Sequence, residues 1–160
     1  RNYEKPPLEP LMIGGGQERG LRPGTLAVPL IAGFGKAAEL SLENYQDRNN
    51  KCKDFRGKAL EAISSIGGIL NGDDENTLSH TLNVSIPGVN SEAAMIVLKD
   101  IAYISNGSAC TSSEYELSHV LKAMNIPNER IEEAIRISWC HLTEEVDWDL
   151  FTSKLISIAQ

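Results

Sequence analysis

Three places in this 160-residue chain bring together residue types that do chemistry. Cys110 stands in the run SNGSACTSS, residues 105–113, nine positions without one large apolar side chain. Such a run reads as an exposed loop, and its thiol as one that solvent can reach. An ordinary thiol is only about 3% ionised at pH 7, so a nucleophilic role for Cys110 calls for an activator. Arg136 lies between Ile135 and Ile137 in a short apolar run. There it is either a solvated strand residue or a fixed guanidinium, the side chain best shaped to take a carboxylate with two hydrogen bonds. Residues 14–25, GGGQERGLRPGT, lack the Gly-Lys-Ser/Thr ending of a nucleotide-binding loop and do not fit GxGxxG, yet the hydroxyl of Thr25 beside Gly24 can donate to a phosphate.

The other two cysteines carry the ordinary reading of a buried small hydrophobe: Cys52 falls on a helical apolar stripe and Cys140 at the end of a strand. Three cysteines with no CxxC pair and no histidine at ligand spacing indicate neither a disulfide framework nor a metal site, and fit a reducing, cytoplasmic setting.

The elements that must position these residues alternate between helix and strand. Residues 1–25 hold four of the seven prolines and five of the thirteen glycines and read as irregular. From Pro29, a first-turn proline, the positions Leu30, Phe34, Ala37, Ala38, Ser41 and Tyr45 recur at helical steps. A second stripe runs through Cys52, Phe55, Ala59, Ile63 and Ile66 until Gly67 and Gly68 stop it, so the two form one long element or a bent pair. Leu82, Val84 and Ile86 alternate with Asn83 and Ser85 as a half-buried strand, and Asn90 or Ser91 caps the helix that follows. A short strand is expected over 101–104, helices over 117–125 and 128–134 split by Pro127, a strand over 135–139, and a last helix capped by Thr143. Strands interleaved with helices make the fold class α/β or α+β.

Apolar residues at 41% and charged residues at 23% are ordinary for a globular chain. No apolar run approaches the ~18 residues that would span a bilayer. The net charge of −7, with no basic stripe to offset it, disfavours a direct grip on nucleic acid.

Several separated runs together resemble one family. GGGQERGLRPGTL (14–26), LNVSI (82–86), VLKDIAYISNGSACTSS (97–113), LSHVLKAM (117–124), IRIS (135–138) and LTEEVD (142–147) are similar, in order and spacing, to the C-terminal part of pyridoxal-phosphate cysteine desulfurases of the NifS/IscS group, within the class V aminotransferase superfamily. The cysteine run resembles the longer-loop class of that group, and GQERGLRPGT leans towards its DndA-like branch. The resemblance implies an α/β fold: the small C-terminal domain of a fold-type I transferase (67–160, with the Cys loop at 105–113), connecting helices (29–66), and a remnant of the large cofactor domain with its Gly-rich segment (1–28). It implies that Cys110 is the nucleophile that takes sulfur as a persulfide, that Arg136 binds the carboxylate of the substrate L-cysteine, and that Thr25 is a ligand of the cofactor phosphate in the other subunit of a homodimer. The product would be L-alanine, and the sulfur would pass to an acceptor protein for iron-sulfur clusters, tRNA thiolation or DNA phosphorothioation.

Two departures stand out: Gln17 replaces the histidine usual in GGGHERG, and Cys140-His141-Leu142-Thr143 replaces Gly-Arg-Phe-Thr. The cofactor-anchoring lysine of the family's Ser-x-His-Lys motif is absent from these 160 residues. The start at Arg1 is therefore expected to reflect a truncation, pyridoxal phosphate to be held by the preceding part, and the 160 residues alone to be inactive. The competing reading is a non-catalytic α/β module that binds a partner and carries an incidental exposed cysteine.

Overall fold

The computed structural model describes residues 8–106 and 117–159, which form two compact units, Arg1–Asn44 and Tyr45–Gln160. In the first unit a short 3-10 turn, Gln17–Gly20, places Glu18 and Arg19 in the left-handed region, at φ of 48° and 58°. Gln17 Oε1 accepts the Gly24 N–H at 3.3 Å and closes the segment on itself.

Helix α1, Val28–Ser65, runs for 38 residues, so the two helical stripes are one continuous element. The stripe beginning at Leu30 is exposed at Leu30, Phe34 and Tyr45. The later stripe is buried at Cys52, Arg56, Ala59 and Ile63, on steps of three and four that keep one face inward. The helix ends where the glycines predict. Gly68 N–H bonds to Ile63 O and Gly67 N–H to Ser64 O, both at 3.0 Å, with Gly67 at φ +80°, the paired bonds of a glycine-terminated helix.

Among the described residues the second unit is a four-stranded sheet with helices on both faces. After α1 come β1 (Ile69–Leu70), β2 (Thr81–Ser85), α2 (Ser91–Leu98), β3 (Ser105–Asn106), α3 (His119–Ala123), α4 (Asn128–Glu132), β4 (Ala134–Ser138) and α5 (Trp148–Ile156). The strand order is β1-β2-β4-β3 and every pairing is antiparallel. Period-two alternation sorts the central pair. Leu82 and Val84 of β2 and Ile135 and Ile137 of β4 enter a core with Ala59 and Ile63 of α1, Ala94 and Leu98 of α2, and Phe151 and Leu155 of α5. Phe55 links Trp139 and Trp148 at one border of that core, with ring centroids 5.0 and 5.4 Å apart. The opposite face carries Thr81, Asn83, Ser85, Ala134, Arg136 and Ser138. A small cluster of Leu121, Ile131 and Ala134 holds α3 and α4 there.

Three local expectations differ from the structure. Residues 101–104 are not a strand: Leu98 O accepts the N–H groups of both Ile101 and Ala102 at 2.8 Å, winding the chain into a turn, and pairing begins only at Ser105. Thr143 does not cap α5. Its Oγ1 accepts Cys140 N–H at 2.9 Å, and Asp147 caps the helix through Leu150 N–H at 2.9 Å. Cys140 is exposed, not buried, because the chain leaves the sheet after Ser138 and no element among the described residues covers it. Asn90 does cap α2, accepting from Glu92 and Ala93 N–H at 3.0 and 3.1 Å. Among the described residues no helix is long and apolar enough to cross a membrane.

Candidate active site

Arg136 is the centre of the site because the sheet gives it no alternative. Its neighbours Ile135 and Ile137 are buried in the core, so alternation turns Arg136 to the opposite face, flanked by Asn83 on β2 and Ser105 on β3. It lines a cavity of about 580 Å³ together with Arg56, Asn71, Asn83, Ser118 and His119, all from the second unit. Its guanidinium has no hydrogen bond or ion pair among the described residues.

The second cation of the cavity is not free. Arg56, buried on α1, donates through Nη2 to Asp74 Oδ1 at 2.8 Å and through Nη1 to Thr81 O at 2.6 Å. It is a fastener: it ties the turn that walls the cavity, with Asp73 and Asn76, to the start of β2. The other wall is α3, capped by Ser118, whose Oγ accepts Leu121 N–H at 3.4 Å. Helix α3 closes with Asn125 at φ +58°, where asparagine takes the place glycine holds after α1.

The sequence-derived site residues are distributed unevenly. Arg136 is in the cavity. Thr25 belongs to the first unit, where it is exposed and its carbonyl accepts from Arg22 Nη1 at 3.5 Å. Cys110 lies outside the described residues. Sequence reasoning missed Arg56, Asn71, Asn83 and His119. Asn83 was the one within reach, since strand alternation puts it on the same side as Ser85 and away from Leu82 and Val84.

Cys140 has a character of its own. Leu142 N–H donates to its Sγ at 3.4 Å and the Thr143 hydroxyl at 3.9 Å, and these donors lower the thiol pKa from its ordinary value. At Cys52 burial, followed by the charge of Cys140, raises it. Extending the alternation of Arg136 and Ser138 by two residues would have placed Cys140 outward from the sequence.

For a cofactor, the exposed hydroxyl of Thr25 is of the kind that donates to a phosphate, while the Gly24 N–H beside it is engaged by Gln17 and Arg22 by the Thr25 carbonyl. No lysine is among the described residues that line the cavity with Arg136. Among the described residues no group of His, Cys, Asp and Glu could hold a metal ion.

Residues 5–151 match the profile of the aminotransferase class-V family. The chain is 40% identical over 151 residues to "Cysteine desulfurase IscS" of Rickettsia bellii, covering 93% of this chain and 36% of that protein. It is 44% identical over 146 residues to "Cysteine desulfurase, mitochondrial" of Drosophila melanogaster, covering 88% and 31%. Among solved structures it superposes on a "NifS-like protein" with a TM-score of 0.77 at 33% identity, covering 95% of this chain and 39% of that one. It superposes on DndA from Streptomyces lividans with a TM-score of 0.64 at 38% identity, covering 84% and 37%. The chain thus spans about a third of the length of the curated relatives it matches. With a family profile over nearly the whole chain, and cysteine desulfurases among its relatives by sequence, the chain belongs to the aminotransferase class-V family.

Proposed function

We propose that these 160 residues are the substrate-carboxylate-binding and sulfur-accepting part of a cysteine desulfurase. The observation that carries this reading is Arg136: an arginine with no ion-pair partner among the described residues, turned into a cavity by two buried isoleucines. Its planar fork takes the α-carboxylate of L-cysteine with two parallel hydrogen bonds. Asn106, paired with Ile135 beside it, precedes Cys110 in the sequence by four residues.

In this reading the Cys110 thiolate takes the substrate sulfur. A sulfur–sulfur bond forms, the carbon–sulfur bond breaks, and the electron pair left on carbon is protonated to give L-alanine. Pyridoxal phosphate supplies the electron sink when bound. Its anchoring lysine comes from the longer polypeptide, and Thr25 serves its phosphate across a homodimer. Alone, the 160 residues are inactive. The persulfide passes to an acceptor protein in the cytoplasm, and the likeness to DndA supports DNA sulfur modification beside iron-sulfur cluster and tRNA routes.

The test is Arg136→Lys in the longer enzyme. A point charge keeps the attraction and loses the two-pronged fit, so KM for L-cysteine should rise more than kcat falls. An unchanged KM returns Arg136 to the role of a solvated strand residue.

A further inference from the structure

We propose that Asn83 is a second donor, beside Arg136, to the carboxylate that the cavity receives, and that a buried relay through Ser85 and Asn71 fixes its amide in the donating orientation. The inference rests on reading Arg136 as the carboxylate-binding residue. Asn83 and Arg136 are register partners across the β2–β4 ladder, and both line the cavity. Directly opposed residues on one sheet face hold their Cβ atoms about 5 Å apart, close enough for both side chains to reach one carboxylate.

Which end of the Asn83 amide meets the cavity decides the chemistry. An NH2 group attracts a carboxylate, and an amide oxygen repels it. The relay settles the orientation from its far end. Arg130 O is a main-chain carbonyl and can only accept, and Ser85 Oγ lies 2.6 Å from it, so the serine proton is committed there. Ser85 Oγ must then act as acceptor towards Asn71, whose Nδ2 is 2.8 Å away. This turns the NH2 end of Asn71 towards the strand, and the same Nδ2 donates to Asn83 Oδ1, also at 2.8 Å. With its oxygen engaged, Asn83 has its own NH2 left, and that group has no partner among the described residues.

Asn71 shows the cost of this arrangement. The residue is 8% exposed, and its Oδ1 is buried without a hydrogen-bond partner. The reversed amide would set that oxygen against two others, Ser85 Oγ and Asn83 Oδ1. The orphaned oxygen is therefore the mark of an orientation imposed by Ser85 and delivered to Asn83. Ser85 is itself fully buried, so it acts on a ligand only through the two asparagines.

The test uses the 160-residue chain, isotopically labelled and titrated with acetate and with L-alanine, two carboxylates that lack a thiol. NMR follows the Asn83 NH2 and Arg136 Nε–H signals, with backbone amides reporting folding. Both side-chain signals should shift with a common dissociation constant. Asn83→Asp and Asn83→Ala should each weaken binding about tenfold or more, as expected for a lost hydrogen bond to a charged group. Ser85→Ala should weaken it several-fold and move the Asn83 NH2 signal even without ligand, which a merely structural serine would not do. Binding lost in Arg136→Met but intact in both Asn83 variants overturns the role of Asn83 and leaves Arg136 standing. Carboxylates that shift neither signal, or that bind Arg136→Met as well as wild type, overturn the reading of Arg136 itself. Asn83 variants that weaken binding beside an inert Ser85→Ala overturn the relay.

Discussion

The indole N–H of Trp139 donates to the main-chain carbonyl of Cys52 across 3.0 Å, within the buried core. This bond fixes α1 to the residue that leaves β4, three positions beyond Arg136. Because the Cys52 carbonyl sits within a helix and already serves the helix ladder, losing the indole does not orphan it. Trp139→Phe should therefore cost about 1–2 kcal/mol, from one hydrogen bond and part of a buried ring. Urea unfolding checks this: the midpoint should fall with an unchanged slope, and an unaltered midpoint would show that the bond contributes nothing.

Cys140 should react with alkylating reagents well before Cys52. Its reaction rate should climb with pH at a lower midpoint than an ordinary thiol, because Leu142 N–H and the Thr143 hydroxyl stabilise its thiolate. Thr143→Val should move that midpoint upward. The sign for stability follows from the same depression. Cys140 favours the folded state once the pH exceeds the pKa of the unfolded thiol, and this contribution fades as the pH falls through the folded value. Mass mapping of the alkylated cysteines at several pH values decides it, and equal rates at Cys52 and Cys140 would contradict the assignment.

Arg56 and Asp74 should be unequal partners. The Arg56 side chain is 10% exposed and that of Asp74 57%, so the pair is screened at one end. Asp74→Asn should cost about 1 kcal/mol or less. Arg56→Met removes the bond to Thr81 O as well and should cost about 2–3 kcal/mol. Chemical denaturation of both variants provides the comparison, and equal losses would mean that the Thr81 bond carries no weight.

Gly68 is required for its lack of a side chain. A Cβ built there would lie 2.2 Å from Ile63 Cγ2 and 2.8 Å from Ile63 O, the carbonyl that accepts its own N–H. Gly68→Ala should lower stability by about 1–3 kcal/mol, visible as a drop in Tm. A Tm equal to wild type would show that the end of α1 yields easily.

In the longer enzyme, Cys110→Ser should abolish sulfur release while leaving the cofactor spectrum intact, since an alcohol is too weak a nucleophile towards sulfur. Sulfur delivered at the wild-type rate would refute the desulfurase reading.

Much of this architecture was legible because it is periodic or punctuated. The stripe through Cys52, Ala59 and Ile63, the glycines at 67 and 68, the Asn90 cap and the alternation around Val84 and Ile135 each state a local preference that the fold obeys. What stayed hidden depended on partners distant in sequence. Strand β1 is two residues long and is held by the pairing of Ile69 with Ser85 and of Leu70 with Val84. The stretch 101–104 has a strand's composition, but Leu98 O captures its amides first. Thr143 resembles a cap and is drawn instead to Cys140. At the site, Arg136 was visible as an anomaly in its strand. Its setting was not, because Arg56 meets Asp74 and Thr81 from α1, Asn71 meets Asn83 and Ser85 from the end of β1, and Asn83 faces Arg136 only once β2 lies beside β4.

The strand order also has a kinetic consequence. Thr81 and Ser138, whose hydroxyls meet at 3.3 Å across the central ladder, are 57 residues apart in the chain, and the outer strand β1 has two residues. Helix formation takes about a microsecond, whereas a ladder between such distant segments must first meet the entropy of closing a long loop. Strand β1 is too short to start the process and can only join a ladder already formed. Truncating Val84 or Ile135 should therefore slow refolding more than it hastens unfolding. The step that sets the pace of folding is then the same one that brings Asn83 opposite Arg136, so the chain acquires its binding wall no earlier than its sheet.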